Sequence, residues 1–277
     1  MNRSTRHTLG CAALACLLNL GTAGASTLTA YLSAPGEVAT EINGATTETF
    51  NEVPLVGNQY NSNTLVSPIG TYVGNSTRIP IIAADQYGGA NGSQYMYVGT
   101  RTGGDSTSVT LTLNSPADYF GFWWSAGDPA NEIQVYSDGT LVATFTTASL
   151  TSFLSTPTVT SLGGAQYVSS SYYGNPNAGT FNGDDAAEPF AYVNLVATGF
   201  TFNQIVLTND ASSGFENDNN SIYGGSLDIP RDYTSFVKVE DIPVNTPVPE
   251  PNYTLLMGVI LAAAAFWKLR AARVPVA

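Results

Sequence analysis

The chain has 277 residues, 21 of them acidic and nine basic, and a formal net charge of −12 at pH 7. Its single histidine and two cysteines lie at positions 7, 11 and 16. The chain after residue 16 can therefore form no disulfide, no catalytic centre that depends on histidine or cysteine, and no zinc site with such ligands. Between residues 26 and 251 only four cations oppose all 21 acidic residues, an excess that repels nucleic acid and anionic membranes.

Residues 1–25 have the organisation of a secretory signal peptide. Basic side chains form a positive n-region, and an apolar stretch follows at residues 9–20. Ala23 and Ala25 are small residues at the two positions that a signal peptidase recognises, which predicts cleavage after Ala25 and export of the remaining chain. The alternative is a lipoprotein signal processed at Cys16, although little apolar chain precedes that cysteine.

Residues 26–240 predict one all-β domain, an antiparallel β-sandwich without a long amphipathic helix. Short runs rich in Tyr, Phe, Val and Thr recur along it, separated by clusters of Gly, Asn, Asp or Pro. Asp138 and Gly139 stand between two such runs and predict a two-residue hairpin turn. We expect strands at residues 28–32, 94–101, 108–113, 118–124, 133–136, 141–146, 191–197, 202–208 and 236–239.

The most aromatic of these runs covers residues 119–124. Alternate side chains of a strand point to opposite faces, so we assign Phe120 and the two aromatic residues that share its face to the core. Trp123 points the other way and is either buried as well or free to stack on the apolar face of a sugar ring. Tyr172 and Tyr173 are further candidates for contact with a glycan.

Two groups of acidic residues are candidates for binding calcium, which takes six to eight oxygen ligands. Their spacing matches no EF-hand loop, and the alternative is an acidic turn whose side chains bond their own backbone. Two carboxylates could also hydrolyse a glycosidic bond, but no catalytic motif surrounds these residues and we expect no enzymatic activity. The candidate calcium ligands are Asp184, Asp185, Glu188, Glu216 and Asp218.

The C-terminal segment predicts a Pro-rich linker at residues 241–252, a transmembrane helix at residues 253–269 and a basic cytoplasmic tail at residues 270–277. The apolar part of the helix has fifteen residues. It would be about 22 Å long, shorter than a bilayer core of about 30 Å. Long basic side chains can extend such a span by reaching the headgroups. The basic end places the tail in the cytoplasm and the domain outside, whereas the alternative is a buried core helix.

This C-terminal segment resembles the sorting region of the PEP-CTERM proteins, a family typical of Gram-negative bacteria that make exopolysaccharide. The resemblance covers about thirty residues and rests on the order of a Pro-Glu-Pro motif, an apolar helix and a basic cluster. It implies recognition by an exosortase, a membrane enzyme that cleaves near the motif and releases or re-anchors the protein. The sorting motif comprises Val248, Pro249, Glu250, Pro251, Arg270 and Arg273.

A second resemblance covers residues 119–222, which are similar to a subgroup of exosortase-dependent surface proteins. It implies a jelly-roll-like sandwich and carries no defined activity. Residues 26–101 carry no such resemblance. The matching runs are residues 119–125, 131–144, 190–195, 202–207 and 214–219.

These observations predict an exported protein that passes through the inner membrane and then reaches the cell surface or the extracellular matrix. We expect a structural or adhesive role linked to exopolysaccharide, with signal peptidase and exosortase as processing partners. The alternative is a carbohydrate-binding module that uses exposed aromatic side chains and a structural calcium ion. A sandwich whose aromatic side chains are buried would favour the structural role.

Overall fold

The computed structural model describes residues 26–244, except for residues 100, 102, 210–212 and 226. The predicted signal peptide, sorting motif and transmembrane helix therefore lie outside the described residues. Within the described part of the chain, no helix is long and apolar enough to cross a membrane.

The described chain is built mainly from β-strands, which confirms the all-β prediction. Two short helices, α1 (Thr147–Phe153) and α2 (Ile229–Asp232), and two 3-10 turns, Ala90–Gly92 and Ser169–Tyr172, interrupt them. The strands are β1 (Thr27–Leu32), β2 (Thr46–Glu48), β3 (Thr64–Val66), β4 (Gly70–Gly74), β5 (Ile81–Ile82), β6 (Tyr95–Gly99), β7 (Ser108–Ala117), β8 (Tyr119–Ser125), β9 (Glu132–Ser137), β10 (Thr140–Thr146), β11 (Thr158–Thr160), β12 (Gln166–Val168), β13 (Ala191–Thr198), β14 (Phe202–Thr208), β15 (Gly214–Tyr223) and β16 (Val237–Pro243).

Two antiparallel sheets form a β-sandwich-like body. The larger sheet has the strand order β16-β1-β13-β8-β15-β6-β5, with β2 also paired to β15. The smaller sheet has the order β10-β9-β14-β7-β4-β3, and β11 and β12 form a separate hairpin. Neighbouring strands come from distant parts of the chain: β1, for example, pairs with both β13 and β16.

The main apolar core lies between the two sheets, because the inner faces of both contribute side chains to one cluster. In β7, Val109 and Leu111 are buried in this cluster whereas Thr112 is exposed, as expected for a strand with one solvated face. In the larger sheet, Trp124 stacks on Phe215 with ring centroids 4.8 Å apart. Large aromatic side chains therefore supply much of the apolar surface that is buried on folding.

The strands predicted from the sequence agree with the structure where apolar and polar residues alternate and where the sequence predicts a tight turn. All nine predicted runs overlap strands, and Ser137 pairs with Thr140 across the predicted hairpin turn. Asp138 and Gly139 have positive φ values of 47° and 79°, the conformation that favours this residue pair. The strand β16 ends at Pro243 and thus continues three residues beyond residue 240, where the predicted domain ended.

Candidate functional site

The outer face of the larger sheet, which points away from the smaller sheet, lies beneath loops. We call residues 34–45, 84–93 and 174–190 the covering segments. Trp123 points to this face, is fully buried and packs against Phe190 with ring centroids 6.0 Å apart. Of the two alternatives for Trp123, the one in which its ring is free to stack on a sugar is therefore wrong, because the covering segments occupy the space that the sugar would need.

The two tyrosines predicted as further glycan contacts do not form an exposed platform. Tyr172 is fully buried at the end of a 3-10 turn, and its hydroxyl donates to the carbonyl oxygen of Ser33 at 2.9 Å. Tyr173 is half-buried and packs against the main core. The prediction is thus wrong for Tyr172, whose ring and hydroxyl are both used internally, while Tyr173 keeps only a partly exposed ring.

Asp218 joins the covering segment 84–93 to the larger sheet through hydrogen bonds. It lies in β15, is fully buried, and accepts hydrogen bonds from the Ala90 amide at 2.9 Å and the Ser93 hydroxyl at 2.6 Å. Its other oxygen accepts from the Asn219 amide at 2.7 Å. Burial raises the pKa of Asp218 to about 7, although these hydrogen bonds oppose the shift. Both oxygens of this candidate calcium ligand therefore already have donors within the fold.

Glu216 lies in the same strand, two residues before Asp218. It is 2% exposed, stands opposite Ser125 of β8 in the strand register, and forms an ion pair with Arg101. Its Oε2 atom has no hydrogen-bond partner in the described part of the chain. A Cβ atom at Gly214 would overlap the Glu216 carboxylate, so a glycine at position 214 leaves the room that this buried side chain needs. Glu216, the second candidate calcium ligand in β15, is therefore a buried strand residue paired with Arg101.

Arg101 contacts carboxylates, a tyrosine hydroxyl and aromatic rings. Its guanidinium lies over the rings of Tyr87 and Tyr97, with Cζ 4.7 and 4.4 Å from their centroids. Nη1 donates to Asp85 at 3.1 Å and to the Tyr95 hydroxyl at 3.0 Å, and Nη2 donates to Glu216. The positive charge is thus balanced by two carboxylates and stacked on aromatic rings, an arrangement that suits the planar guanidinium.

These side chains border a pocket of about 360 Å³ between the covering segments and the end of the larger sheet where β15 begins. The volume falls within the range of about 300–1,000 Å³ that is typical of small-molecule sites. Most of the lining residues are polar or charged. They include Tyr87, Arg101, Asp128, Glu188, Ser213 and Glu216.

Burial, with a smaller contribution from neighbouring carboxylates, raises the pKa of the acidic side chains in and beside the pocket. Burial, reinforced by repulsion from Asp128 and Asp185, raises the pKa of Glu188 to about 7. Burial also raises the pKa of Asp185, with the charge of Asp184 as the next cause. Burial likewise raises the pKa of Glu216, against the opposing effect of Arg101. The surroundings of the pocket therefore favour the protonated, uncharged form of these carboxyl groups.

The candidate calcium ligands do not converge on one point. Asp184 is exposed, Glu188 faces the pocket, and Asp218 is bonded elsewhere in the sheet. In the described ranges of the chain, no group of three or more acidic side chains is placed to hold a metal ion.

Sequence reasoning did not identify Tyr87, Arg101 or Asp128 as residues of a site. For Arg101 a signal existed, because it is one of only four cations between residues 26 and 251 and such a residue needs acidic neighbours. Tyr87 and Asp128 lie in loops whose positions depend on long-range contacts. Their proximity to Glu216 could not be read from local pattern.

Comparison of the sequence with protein-family models and with curated proteins gives no match. The arrangement around Arg101 and Glu216 therefore has to be interpreted from its own geometry and chemistry.

Proposed function

We propose that this protein is exported, processed by an exosortase, and retained at the cell surface or in the extracellular matrix, where it has a structural or adhesive role linked to exopolysaccharide. The observation that best supports this role is the burial of the aromatic side chains. Among the described residues, the largest fully buried side chains are all aromatic, and Tyr87 is the only aromatic among the large exposed hydrophobics. A rigid sandwich with few exposed rings suits a structural part better than a platform that binds sugars.

The proposed architecture is a jelly-roll-like sandwich carried on a C-terminal membrane helix. The interleaved strand orders of the two sheets support it, since β8 lies between β13 and β15 while β7 lies between β14 and β4. Thr27 of β1 pairs with Pro243 of β16, so the two ends of the described body lie side by side at one edge of the larger sheet. A body with this geometry would extend away from the point where the linker meets the membrane.

The proposed processing follows from the sequence at both ends. Signal peptidase would remove residues 1–25, residues 253–269 would span the inner membrane, and the exosortase would cut near Pro249 to Pro251. Support comes from the order of the motif, the apolar helix and the basic tail. Proline residues favour an extended backbone, which is the form that a protease-like cleft accepts.

The test is the intact mass of the mature protein from its own host, with and without the exosortase. We expect a product that begins at Ser26 and ends near Pro249 to Pro251 only when the exosortase is present. A product that still carries residues 268–277 in both strains would make this a plain single-pass membrane protein and would contradict the proposal.

The adhesive role has its own test, which is independent of processing. Deletion of the gene should reduce the mass of the extracellular matrix or its attachment to cells, and re-expression of the full chain should restore it. If a variant with both Glu188→Gln and Glu216→Gln also restores the matrix, the role does not require catalysis by these residues. Turnover of a polysaccharide by the purified chain, lost on Glu216→Gln, would overturn our proposal that the protein is not an enzyme.

The alternative carbohydrate-binding module has less support, because Trp123 and Tyr172 are buried. Its structural calcium ion has one supporting observation, since Oδ2 of Asp185 is buried without a hydrogen-bond partner among the described residues. If calcium binds at Asp185, a chelator should lower the melting temperature, and Asp185→Asn should remove that effect. An unchanged melting temperature at saturating chelator would contradict a structural calcium ion.

A further inference from the structure

The smaller sheet ends in a strand whose outer edge is open. The strand β10 stands last in the strand order and pairs with β9 alone. Among the residues that the structure describes, none outside β9 forms a hydrogen bond with the backbone of β10. Alternate residues of an antiparallel strand direct both N–H and C=O away from their partner strand. The free edge of β10 therefore presents a row of unpaired donors and acceptors.

The composition of β10 does not protect this edge. Its seven residues, Thr-Leu-Val-Ala-Thr-Phe-Thr, include no charge, no proline and no glycine. Proteins usually block an open edge with charges, proline or a bulge, and a run without charge or proline is typical of strands that pair with another chain. A bulge between Leu141 and Ala143 is one such protective device. Residues 143–146 beyond it pair regularly with β9 and keep their free edge.

The other three edges of the two sheets are protected. The strand β16 carries Lys238, Glu240 and Pro243, which are charged or unable to donate. The strand β5 has only two residues, and Gln59 bridges to Ile82 beside it. The strand β3 has only three residues. In the described part of the chain, β10 is therefore the one long edge that carries neither charge nor proline.

The charges around β10 indicate that its partner is a second copy of the chain. The acidic domain repels another copy over most of its surface. On the outer face of the smaller sheet, however, the side chains next to β10 are uncharged, namely Gln134 and Tyr136 of β9 and then Gln204 and Val206 of β14. A charged peptide would find no ion pair at this edge. A strand without charge matches a copy of itself, because antiparallel pairing about a two-fold axis is self-complementary.

Antiparallel pairing also separates the nearest acidic residues of the two copies. Glu132 stands opposite Thr146 in the strand register, and Glu240 borders the same groove as Thr146. Both acidic residues therefore lie near one end of β10, and in an antiparallel pair the two copies of this end point in opposite directions. Asp138 lies in the hairpin turn, outside residues 143–146. Like charges therefore do not oppose pairing of these residues.

We infer that two copies of this protein associate through antiparallel pairing of residues 143–146 of their β10 strands. The two six-stranded sheets would then form one continuous sheet across the contact. The inference goes beyond the proposed structural role, because it names the contact by which one copy holds another. It does not rest on export or processing, since it concerns the folded body alone, so either proposal can fail without the other.

The test is the molar mass of the full chain in detergent, measured by sedimentation equilibrium over a range of concentrations. We expect the protein mass to rise from one chain to two. A contact limited to one strand edge is small, so the dissociation constant should be about 10–100 μM. A mass of one chain at about 0.5 mM would overturn the inference, because this concentration exceeds the expected dissociation constant.

Matched variants locate the contact. Thr144 is half-buried in β10, and Thr144→Lys would bring two like charges together across the paired edges, which should weaken association at least about tenfold. Thr112→Lys is the control, because it adds the same charge to β7, whose two edges are paired with β14 and β4. Equal weakening by both variants would indicate stacking of sheet faces, and no weakening by either would place the contact elsewhere. Both outcomes would contradict the inference.

Two further measurements separate a lost contact from a misfolded variant. A mixture of the Thr144→Lys and Thr144→Glu variants should associate although each alone does not, because opposite charges then meet at the paired edges. In the unmodified chain, hydrogen exchange of the β10 edge amides should slow severalfold as the concentration rises, whereas the amides of β3, at the far edge of the same sheet, should keep their rates. Exchange in β10 that does not depend on concentration would overturn the inference.

Discussion

On its inner face the larger sheet packs apolar side chains against the smaller sheet, whereas on its outer face it holds small apolar clusters and buried polar side chains together beneath loops. In β8, Phe122 and Trp124 belong to the inner core, while Tyr119 and Ser125 point outward. Both faces are buried, so all seven residues of this strand are inaccessible to solvent. The comparison shows that burial alone does not distinguish a hydrophobic core from a polar site.

Different interactions hold the two faces together. The inner face depends on apolar burial and ring contacts, such as those of Phe122 with Phe120 and Trp124 at 5.5 and 5.6 Å. The outer face combines smaller apolar clusters, such as the one that contains Trp123, with hydrogen bonds, such as that from the Tyr119 hydroxyl to Asn194 at 2.8 Å. Unpaired atoms of the described chain also occur on the outer face, where the pocket lies. A dry core tolerates little change in volume, whereas a polar face is sensitive to charge and to donors.

The largest effect should come from the inner face. Trp124→Ala would remove a ring that stacks on Phe215 and contacts Phe145, and would leave a cavity. We expect a loss of about 3–5 kcal/mol in the free energy of unfolding. Equilibrium unfolding in denaturant measures this loss. A loss below about 1 kcal/mol would mean that the sheets do not share a tightly packed core.

The next effect concerns the room that Gly214 leaves for Glu216. Gly214→Ala would force the carboxylate away from its present position, because the new Cβ would overlap it. We expect a loss of about 1–3 kcal/mol in the free energy of unfolding. Gly103→Ala is the control, since a Cβ at Gly103 meets no atom within 4 Å. Equal stabilities for the two variants would show that the Glu216 carboxylate can move to another position without loss of stability.

The polar face should also make stability depend on pH. Burial raises the pKa of both Glu188 and Asp218 to about 7, so the folded state binds more protons than the unfolded state between their ordinary pKa values and about 7. Stability therefore falls as pH rises through this window and is greatest below it. We expect the melting temperature at pH 8 to be at least about 2–4 °C lower than at pH 5.

A variant with Glu188→Gln tests the origin of this pH dependence. It should show a smaller difference between the two melting temperatures, because one of the titrating groups is gone. If the melting temperature instead rose from pH 5 to pH 8, the carboxylates would be stabilised in their charged form, contrary to the burial described above.

The smallest effect compares the two neighbouring tryptophans directly. Nε1 of Trp124 donates to Asn131 at 3.2 Å, whereas Nε1 of Trp123 is buried without a partner among the described residues. Replacement by Phe removes similar volume at both positions, but only Trp124→Phe breaks a hydrogen bond. We expect Trp124→Phe to cost about 1 kcal/mol more than Trp123→Phe. Parallel denaturant titrations measure the difference, and an equal cost would indicate that Nε1 of Trp123 also donates to an acceptor.

Local features of the fold could be predicted because they depend on a few adjacent residues. The hairpin at Asp138 and Gly139 follows from the positive φ values that these residues tolerate, and the strands follow from runs of β-branched and aromatic residues. The assignment of Phe120 to the core follows from the two-residue period of a strand. By contrast, β15 was not predicted, because its sequence is rich in Asn and Asp and lacks that pattern.

The pocket could not be predicted, because it joins residues that are far apart in the chain. Arg101 and Glu216 are separated by 115 positions, and the burial of Trp123 depends on segments near Val38, Ala90 and Phe190. The sequence by itself determined the acidic character of the domain, its strand-forming runs and its hairpin, and it predicts a signal peptide and a sorting motif at its two ends. Only the tertiary structure decided which face of a strand is covered and which charges meet, because loop closure and sheet pairing bring distant side chains together.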